Sequence, residues 1–231
     1  MEAAEKGVNL DYIRRLWPGK FASEDEVFDH IRPGHRIFIG TACGEPQYLV
    51  RALINYIERK PNAFFDAELI QVWTLGIAPY EDEKFKDNFR LNSFFIGESI
   101  REAVNRAAAD YTPIFLSSVP DLFVRGIIPI DVALIQTSPP DSGGNMSLGI
   151  SVDIVKAAVE TASLAVAQVN SNMPFVYGDG IINIGDVDFL LPHDESLLKY
   201  RDLVPGDVAQ RIGRYVARTG RGWVHPSGGI R

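Results

Sequence analysis

The 231-residue chain is 46% hydrophobic and carries a net charge of −7, enough apolar matter for one large core and one main domain. No basic stripe accompanies the acidic balance, which argues against duplex nucleic acid and anionic membrane surfaces as partners, and a single cysteine rules out a disulfide framework within the chain. Residues 1–20 mix acids and bases without the apolar stretch of a secretory signal. No run of about 18 apolar residues predicts a transmembrane helix, and the cytoplasm is the expected compartment.

Strands and helices are expected to alternate along the chain. Residues 36–39 form a short apolar strand, and residues 47–57 place Leu49, Val50, Leu53, Ile54 and Ile57 at helical spacing. Residues 69–75 are β-rich, residues 93–96 are another short apolar run, and 98–109 read as a helix. Strands are expected at 114–116, 132–136 and 164–169, and helices at 153–161 and 207–218. Residues 178–188 read as an irregular or edge-strand segment, and Trp73, Phe94, Phe95 and Phe115 as core. Near-continuous apolar strands separated by helices predict an α/β fold, an open and largely parallel sheet with helices on both faces. The main domain is expected over 1–218. Residues 219–231, rich in Gly, Arg, Pro and Ser, read as a tail or the cut end of a longer chain.

Five expected strands run into Pro- or Gly-bearing loops, at 40–47, 76–79, 117–120, 137–144 and 170–174. Ligands of parallel α/β sheets bind outside the carboxyl ends of the strands, so these loops predict one cleft; turns alone also demand such residues there. The first loop is the sharpest. Gly40 and Gly44 permit tight turns and close approach to a ligand, and Pro46 suits the start of the helix that follows. The N–H groups at that helix start are expected to face an anion, with Thr41 adding a hydroxyl; a plain strand-to-helix turn is the competing reading. The loop is neither a dinucleotide G-x-G-x-x-G nor a Walker loop. Cys43 invites a nucleophile reading, but the four histidines lie in unremarkable polar contexts, and a partly buried loop side chain is expected instead. Asp179, Asp186 and Asp188 lack EF-hand spacing and read as turn or capping residues, so no metal is expected.

Five segments, in order, resemble the acetyl-CoA hydrolase/transferase N-terminal domain, over roughly residues 8–218. They are IFIGTACGEPQYLVRAL (37–53), FFIGESIREAV (94–104), DYTPIF with Val119-Pro120 (110–120), DVALIQTSPPDSGGNMSLGISVD (131–153) and QVNSNMPFVYGD (168–179). The resemblance implies the open α/β fold shared with ribose-5-phosphate isomerase. It also implies coenzyme A as a substrate of the full enzyme, and small carboxylic acids and acyl-CoA as ligands. Family chemistry is acyl transfer through a glutamyl-CoA thioester, whose glutamate sits in an H-T-E-M region of a second α/β domain. The 231 residues contain no such segment, so the chain alone is expected not to exchange coenzyme A, Glu45 being the alternative nucleophile if it does. The resemblance places Gly40, Thr41, Cys43, Gly44, Pro46 and Gln47 on one wall of the carboxylic-acid pocket, with Asn172, Met173 and Pro174 across it. A second domain, in the same or another chain, is the expected partner, with self-association as an alternative. Ser118 and Gln168 stand where acidic residues are common in the family, and Ser171 where proline is usual. Two rival readings are a non-catalytic partner-binding module and a sugar-phosphate isomerase-like enzyme. No loop here combines the Ser/Thr/Gly run and lysine that the isomerase chemistry requires.

Overall fold

The computed structural model describes residues 10–200 and 205–219. Nine strands and seven helices occur among them: α1 (Leu10–Leu16), α2 (Glu24–Phe28), β1 (Arg36–Ile39), α3 (Gln47–Arg59), β2 (Ala67–Gln71), β3 (Phe89–Ser93), α4 (Arg101–Asn105), β4 (Asp110–Tyr111), α5 (Val119–Val124), β5 (Val132–Thr137), β6 (Asn145–Ser147), α6 (Val155–Thr161), β7 (Leu164–Val169), β8 (Ile181–Asn183), β9 (Phe189–Pro192) and α7 (Asp207–Thr219).

Seven strands form one sheet in the order β4-β3-β2-β1-β5-β7-β9, and every pair in it is parallel. Side chains of successive strand residues point to opposite faces, so a strand buried on both faces must be apolar throughout. Strand β5 reads VALIQT and is buried at all six positions. The two faces carry separate cores. Ile37, Ile39, Leu69, Leu134 and Val166 pack with the buried stripe of α3 and with Val27 and Phe28 of α2. Phe38, Ile70, Ala133, Ile135 and Ala167 pack with Val119 and Phe123 of α5, Val155 and Ala158 of α6, and Ile13 of α1. Helices thus cover both faces. Strands β6 and β8 pair antiparallel as a separate ribbon on the second face, where Met146 and Ile182 join its core.

Helix α2 starts at a capping box. Ser23 Oγ accepts the Glu26 N–H at 3.3 Å, and Glu26 Oε2 accepts the Ser23 N–H at 2.7 Å. With only five residues, the helix depends on this cap and on burial of Val27 and Phe28. Ser23→Ala is expected to cost about 1 kcal/mol in urea unfolding of the chain.

Several expectations need correction. The strand expected at 114–116 does not form; Leu116–Ser118 is a 3-10 turn and β4 lies upstream, at Asp110–Tyr111. Pro113 removes a backbone donor there, and Phe115 is 82% exposed rather than core. The 93–96 run is the exit of β3 rather than a strand, and it leaves Phe95 52% exposed. Strand β2 ends at Gln71, so residues 72–78 belong to its loop, and the helix expected at 98–109 shrinks to α4. Among the described residues, 10–199 form one compact unit, and 200 and 205–219 belong to another. In the second unit α7 carries Val208, Ile212, Tyr215 and Val216 along one stripe and Arg211, Arg214 and Arg218 off it. Of the segment expected as a tail, Thr219 ends α7, and residues 220–231 lie outside the described residues.

Candidate functional site

Chain order places the site. From β1 the sheet grows outward through β2 and β3 to β4, and the chain then crosses to β5 on the other side of β1. The carboxyl ends of β1 and β5 therefore flank the switch point, where ligands of open α/β sheets bind. The 40–46 loop follows β1, the 138–144 loop follows β5 and the 170–174 loop follows β7, all on one edge of a parallel sheet.

Polar side chains at the strand ends join these loops. Gln136, near the end of β5, donates from Nε2 to the carbonyl oxygens of Gly44 and Glu45, at 3.4 and 3.1 Å. Its Oε1 accepts from Asn170 Nδ2 at 2.6 Å. Both side chains are buried, and each leaves a loop no freedom to shift without losing a buried hydrogen bond. A second bridge runs over the top. Gly44 donates its N–H to Ser151 Oγ at 3.1 Å, and a Cβ on Gly44 would lie 2.6 Å from that of Ser151. Gly149, at φ +63°, packs on Met173 so closely that a Cβ would meet its sulfur at 2.2 Å. Only glycine fits either contact.

The expected site residues fall into two groups. Gly40, Thr41, Gly44, Pro46, Gln47 and Met173 are buried and shape the wall. Thr41 Oγ1 donates to Asp153 at 3.2 Å, and Gln47 Oε1 accepts the Ile77 N–H at 2.9 Å. Cys43 is half-buried, and Asn172 and Pro174 are exposed. Ala42, beside Cys43, holds φ at +52°, a strained conformation for a residue with a Cβ, fixed by its N–H to the Trp73 carbonyl at 2.7 Å.

The start of α3 differs from expectation, because the anion it faces belongs to the chain. Pro46 caps the helix without a side-chain bond. The Tyr48 N–H instead meets Glu195 Oε1 at 3.0 Å and Gln168 Oε1 at 3.2 Å. Glu195 also accepts from Gln168 Nε2 at 2.7 Å and Arg51 at 2.6 Å. Burial acts to raise its pKa, but Arg51, Gln168 and the Tyr48 N–H outweigh that and hold it below the usual carboxylate value. An amide at 168 suits this place, since it donates to the carboxylate that an acidic residue would repel. Around Glu195, His193 stacks on Tyr48 with centroids 4.0 Å apart, and the Glu195 carbonyl accepts from Asn170 and Asn172 at 2.8 and 3.1 Å. Ser171 donates its N–H to Asp194 at 2.6 Å, a bond that proline lacks the hydrogen to make. Residues 193–195 are thus a strap tying α3 to the loop after β7.

Glu45 is 1% exposed and turned inward, so it is not presented as a nucleophile. The three aspartates weighed for a cation have separate partners: Asp179 pairs with Lys156, Asp186 closes a capping box with Asn183, and Asp188 accepts the Ala165 N–H. No cluster of metal-ligating side chains occurs among the described residues. No helix among them is long and apolar enough to cross a membrane. A 330 Å³ hollow lined by Glu81, Lys86, Phe89 and Asp110, among others, lies away from the loops after β1, β5 and β7.

Residues 4–200 match the acetyl-CoA hydrolase/transferase N-terminal domain. The chain is 37% identical over 202 residues to the 4-hydroxybutyrate coenzyme A transferase of Clostridium kluyveri, covering 87% of this chain and 46% of that protein. It is 34% identical over 204 residues to the succinyl-CoA:acetate/propanoyl-CoA:succinate CoA transferase of Fasciola hepatica, covering 87% and 42%. Among solved structures, the 4-hydroxybutyrate CoA-transferase of Porphyromonas gingivalis superposes with a TM-score of 0.70 at 28% identity, covering 89% of this chain and 46% of that one. The chain spans about half the length of the curated relatives it matches. The five resembling segments and the parallel sheet meet in one conclusion: the chain belongs to the acetyl-CoA hydrolase/transferase family, as its N-terminal domain.

Proposed function

We propose that this chain forms the carboxylic-acid side of a coenzyme A-transferase active site. The observation that carries the reading is the switch-point edge itself, where Gln136 and Asn170 bind the loops after β1, β5 and β7 into one wall on a domain of this family. Cys43, Asn172 and Pro174 face the acid, and Gly40, Thr41, Gly44, Pro46, Gln47 and Met173 hold the wall behind them. Oxyanion stabilisation depends on donors fixed before reaction, and welded loops supply rigid backbone for that purpose. The loops 40–47, 72–78, 138–144 and 170–174 contain no Lys or Arg. Phosphates of coenzyme A would find no cation on them, which favours coenzyme A held by a second α/β domain that also supplies the nucleophilic glutamate. The same absence of lysine disfavours a sugar-phosphate isomerase. Ile150, Val176 and Tyr177, exposed beside the wall at 44, 44 and 85%, suit a surface that such a domain covers. Cytoplasmic acyl-CoA metabolism, and self-association where the second domain is a separate chain, follow from this reading.

The test is a coenzyme A-transfer assay with acetyl-CoA and 4-hydroxybutyrate. It compares the 231-residue chain with the same chain extended by the C-terminal half of the Clostridium kluyveri transferase. Transfer is expected only from the extended protein, at an ordinary enzyme rate of about 1 per second or more. A folded extended protein inactive with acetyl-, butyryl- and succinyl-CoA alike would remove the reading. Comparable turnover by the short chain would place the chemistry within the 231 residues.

A further inference from the structure

Among the described residues, buried polar atoms that make no aligned hydrogen bond gather beside the carboxyl end of β2. Glu45, Gln47, Gln71 and Thr74 are 1, 6, 1 and 5% exposed. Glu45 Oε1, Gln47 Nε2, Gln71 Nε2 and Thr74 Oγ1 make no aligned hydrogen bond. Native interiors leave only a few such atoms per hundred residues, and here four of them lie together.

The opposite sides of two of these groups hold a loop. Glu45 Oε2 accepts the N–H groups of Leu75 and Gly76 at 3.2 and 3.1 Å, and Gln47 Oε1 accepts that of Ile77 at 2.9 Å. Gly76 lies against the Gln47 amide so tightly that a Cβ would come within 2.1 Å of Nε2. Three consecutive amides after β2 are therefore fastened to the loop and helix start after β1, next to the strained Ala42.

The surroundings of Glu45 provide no counter-charge. The groups acting on its carboxyl are the Gly76 and Leu75 N–H groups and the Gln47 side chain. From the turn at Pro79–Glu81, the Tyr80 phenol faces the same chamber, bonded to Gln71 Oε1 at 2.8 Å and acted on by both Glu45 and Glu81. A carboxylate in this place is buried with amide donors but no cation against it, whereas a carboxylic acid is merely a buried neutral group.

We propose that Glu45 is a proton-operated latch: neutral, it holds residues 75–77 against the start of α3, and ionised, it admits water to Oε1 and lets that loop go. Burial sets the working range, pushing the carboxyl up to about 7 against the pull of its hydrogen-bond donors. In an open loop the same group, solvated, titrates near 4.5. Opening is thus linked to loss of a proton across the range between the two values. The latch belongs to the fold of this chain, and its test requires no acyl transfer.

Amide hydrogen exchange by NMR on the whole chain reads it directly. After correction for the intrinsic exchange rate, protection of Leu75, Gly76 and Ile77 is expected to fall about tenfold between pH 6 and pH 8. The amides of Tyr48 and Gly44, held by Glu195 and Ser151, serve as controls and should not change. In Glu45→Gln, an uncharged isostere, the fall is expected to vanish. A flat profile in the natural chain, or the same fall in the variant, overturns the proposal. Should the variant not fold, the side-chain carboxyl carbon shift of Glu45 in the natural chain decides. A midpoint coinciding with loss of loop protection sustains the latch, and a midpoint in the ordinary carboxylate range overturns it.

Discussion

Replacing Glu195 with alanine is expected to lower the stability of the domain by about 2–3 kcal/mol, one of the two largest effects of any single polar substitution at the site. Three losses contribute unequally. Gln168 is fully buried, and its Nε2 loses its 2.7 Å acceptor, which costs about 1–3 kcal/mol for an unsatisfied buried group. The start of α3 loses the carboxylate that caps it, worth about 1 kcal/mol for an ordinary cap, although Tyr48 N–H retains Gln168 Oε1 as a weaker acceptor. The Arg51 pair adds little, because the Arg51 side chain is 43% exposed and water screens it. Glu195→Gln keeps an acceptor for the Tyr48 N–H and should recover roughly half of the loss. Urea unfolding at neutral pH measures all three proteins. The pH dependence supplies an internal check. Glu195 is held below its ordinary pKa in the folded chain, so its contribution is present above the unfolded value and fades as pH falls through the folded one. The gap between natural chain and Glu195→Ala should therefore close in acid. A gap under about 0.5 kcal/mol at neutral pH, the size of an ordinary surface change, would mean that the strap does not hold α3 to the β7 loop.

That strap was not legible in the sequence, and the reason is distance along the chain. Residues 36–39, 132–136 and 164–169 announced strands by unbroken apolar composition, and residues 47–57 announced α3 by period, because each signal lies within one element. The loops after β1, β5 and β7 were legible from Gly and Pro at strand ends, and five ordered motifs carried the family. Glu195 caps a helix 147 positions earlier in the chain, and nothing local to either residue reports it. The misread triplet at 114–116 shows the converse. Its three apolar residues carry a strand signal, yet Pro113 cannot donate to a neighbouring strand, and Phe115 ends at the surface. Partial warning did exist in Gln136, Gln168 and Asn170. Polar residues at the carboxyl ends of strands otherwise apolar must find buried partners, and here those partners lie in the loops at that edge of the sheet.

Glu45→Gln is expected to reverse the sign of its stability effect relative to most site substitutions, raising stability in alkali by up to about 3 kcal/mol. The sign follows from proton counting. A folded pKa near 7 against 4.5 for an unperturbed carboxyl means that the folded chain holds more protons than the unfolded chain between those values. Stability contributed by neutral Glu45 is therefore complete below about pH 4.5 and is lost as pH rises through about 7. Glu81, likewise pushed up to about 7 by burial and opposed by Arg106, changes in the same direction, but its greater exposure reduces its share. Comparing the natural chain with Glu45→Gln at each pH removes the Glu81 contribution from the difference. Glutamine keeps an oxygen for the Leu75 and Gly76 N–H groups and carries no charge at any pH, so the two proteins should be close in stability near pH 5. They should diverge by pH 8, the variant being the more stable. The size of the divergence carries further information. A loop that opens admits water to Glu45 without unfolding the domain, so the ionised state can relieve its strain locally. Global stability then falls only until opening becomes easier than burying the charge, and the measured divergence saturates at the free energy of opening residues 75–77. A full 3 kcal/mol would mean a loop that stays shut until the domain unfolds, and a smaller plateau would measure how lightly the latch is set. No divergence at all, in urea unfolding at about pH 5 and 8, would place the Glu45 titration back in the ordinary carboxylate range.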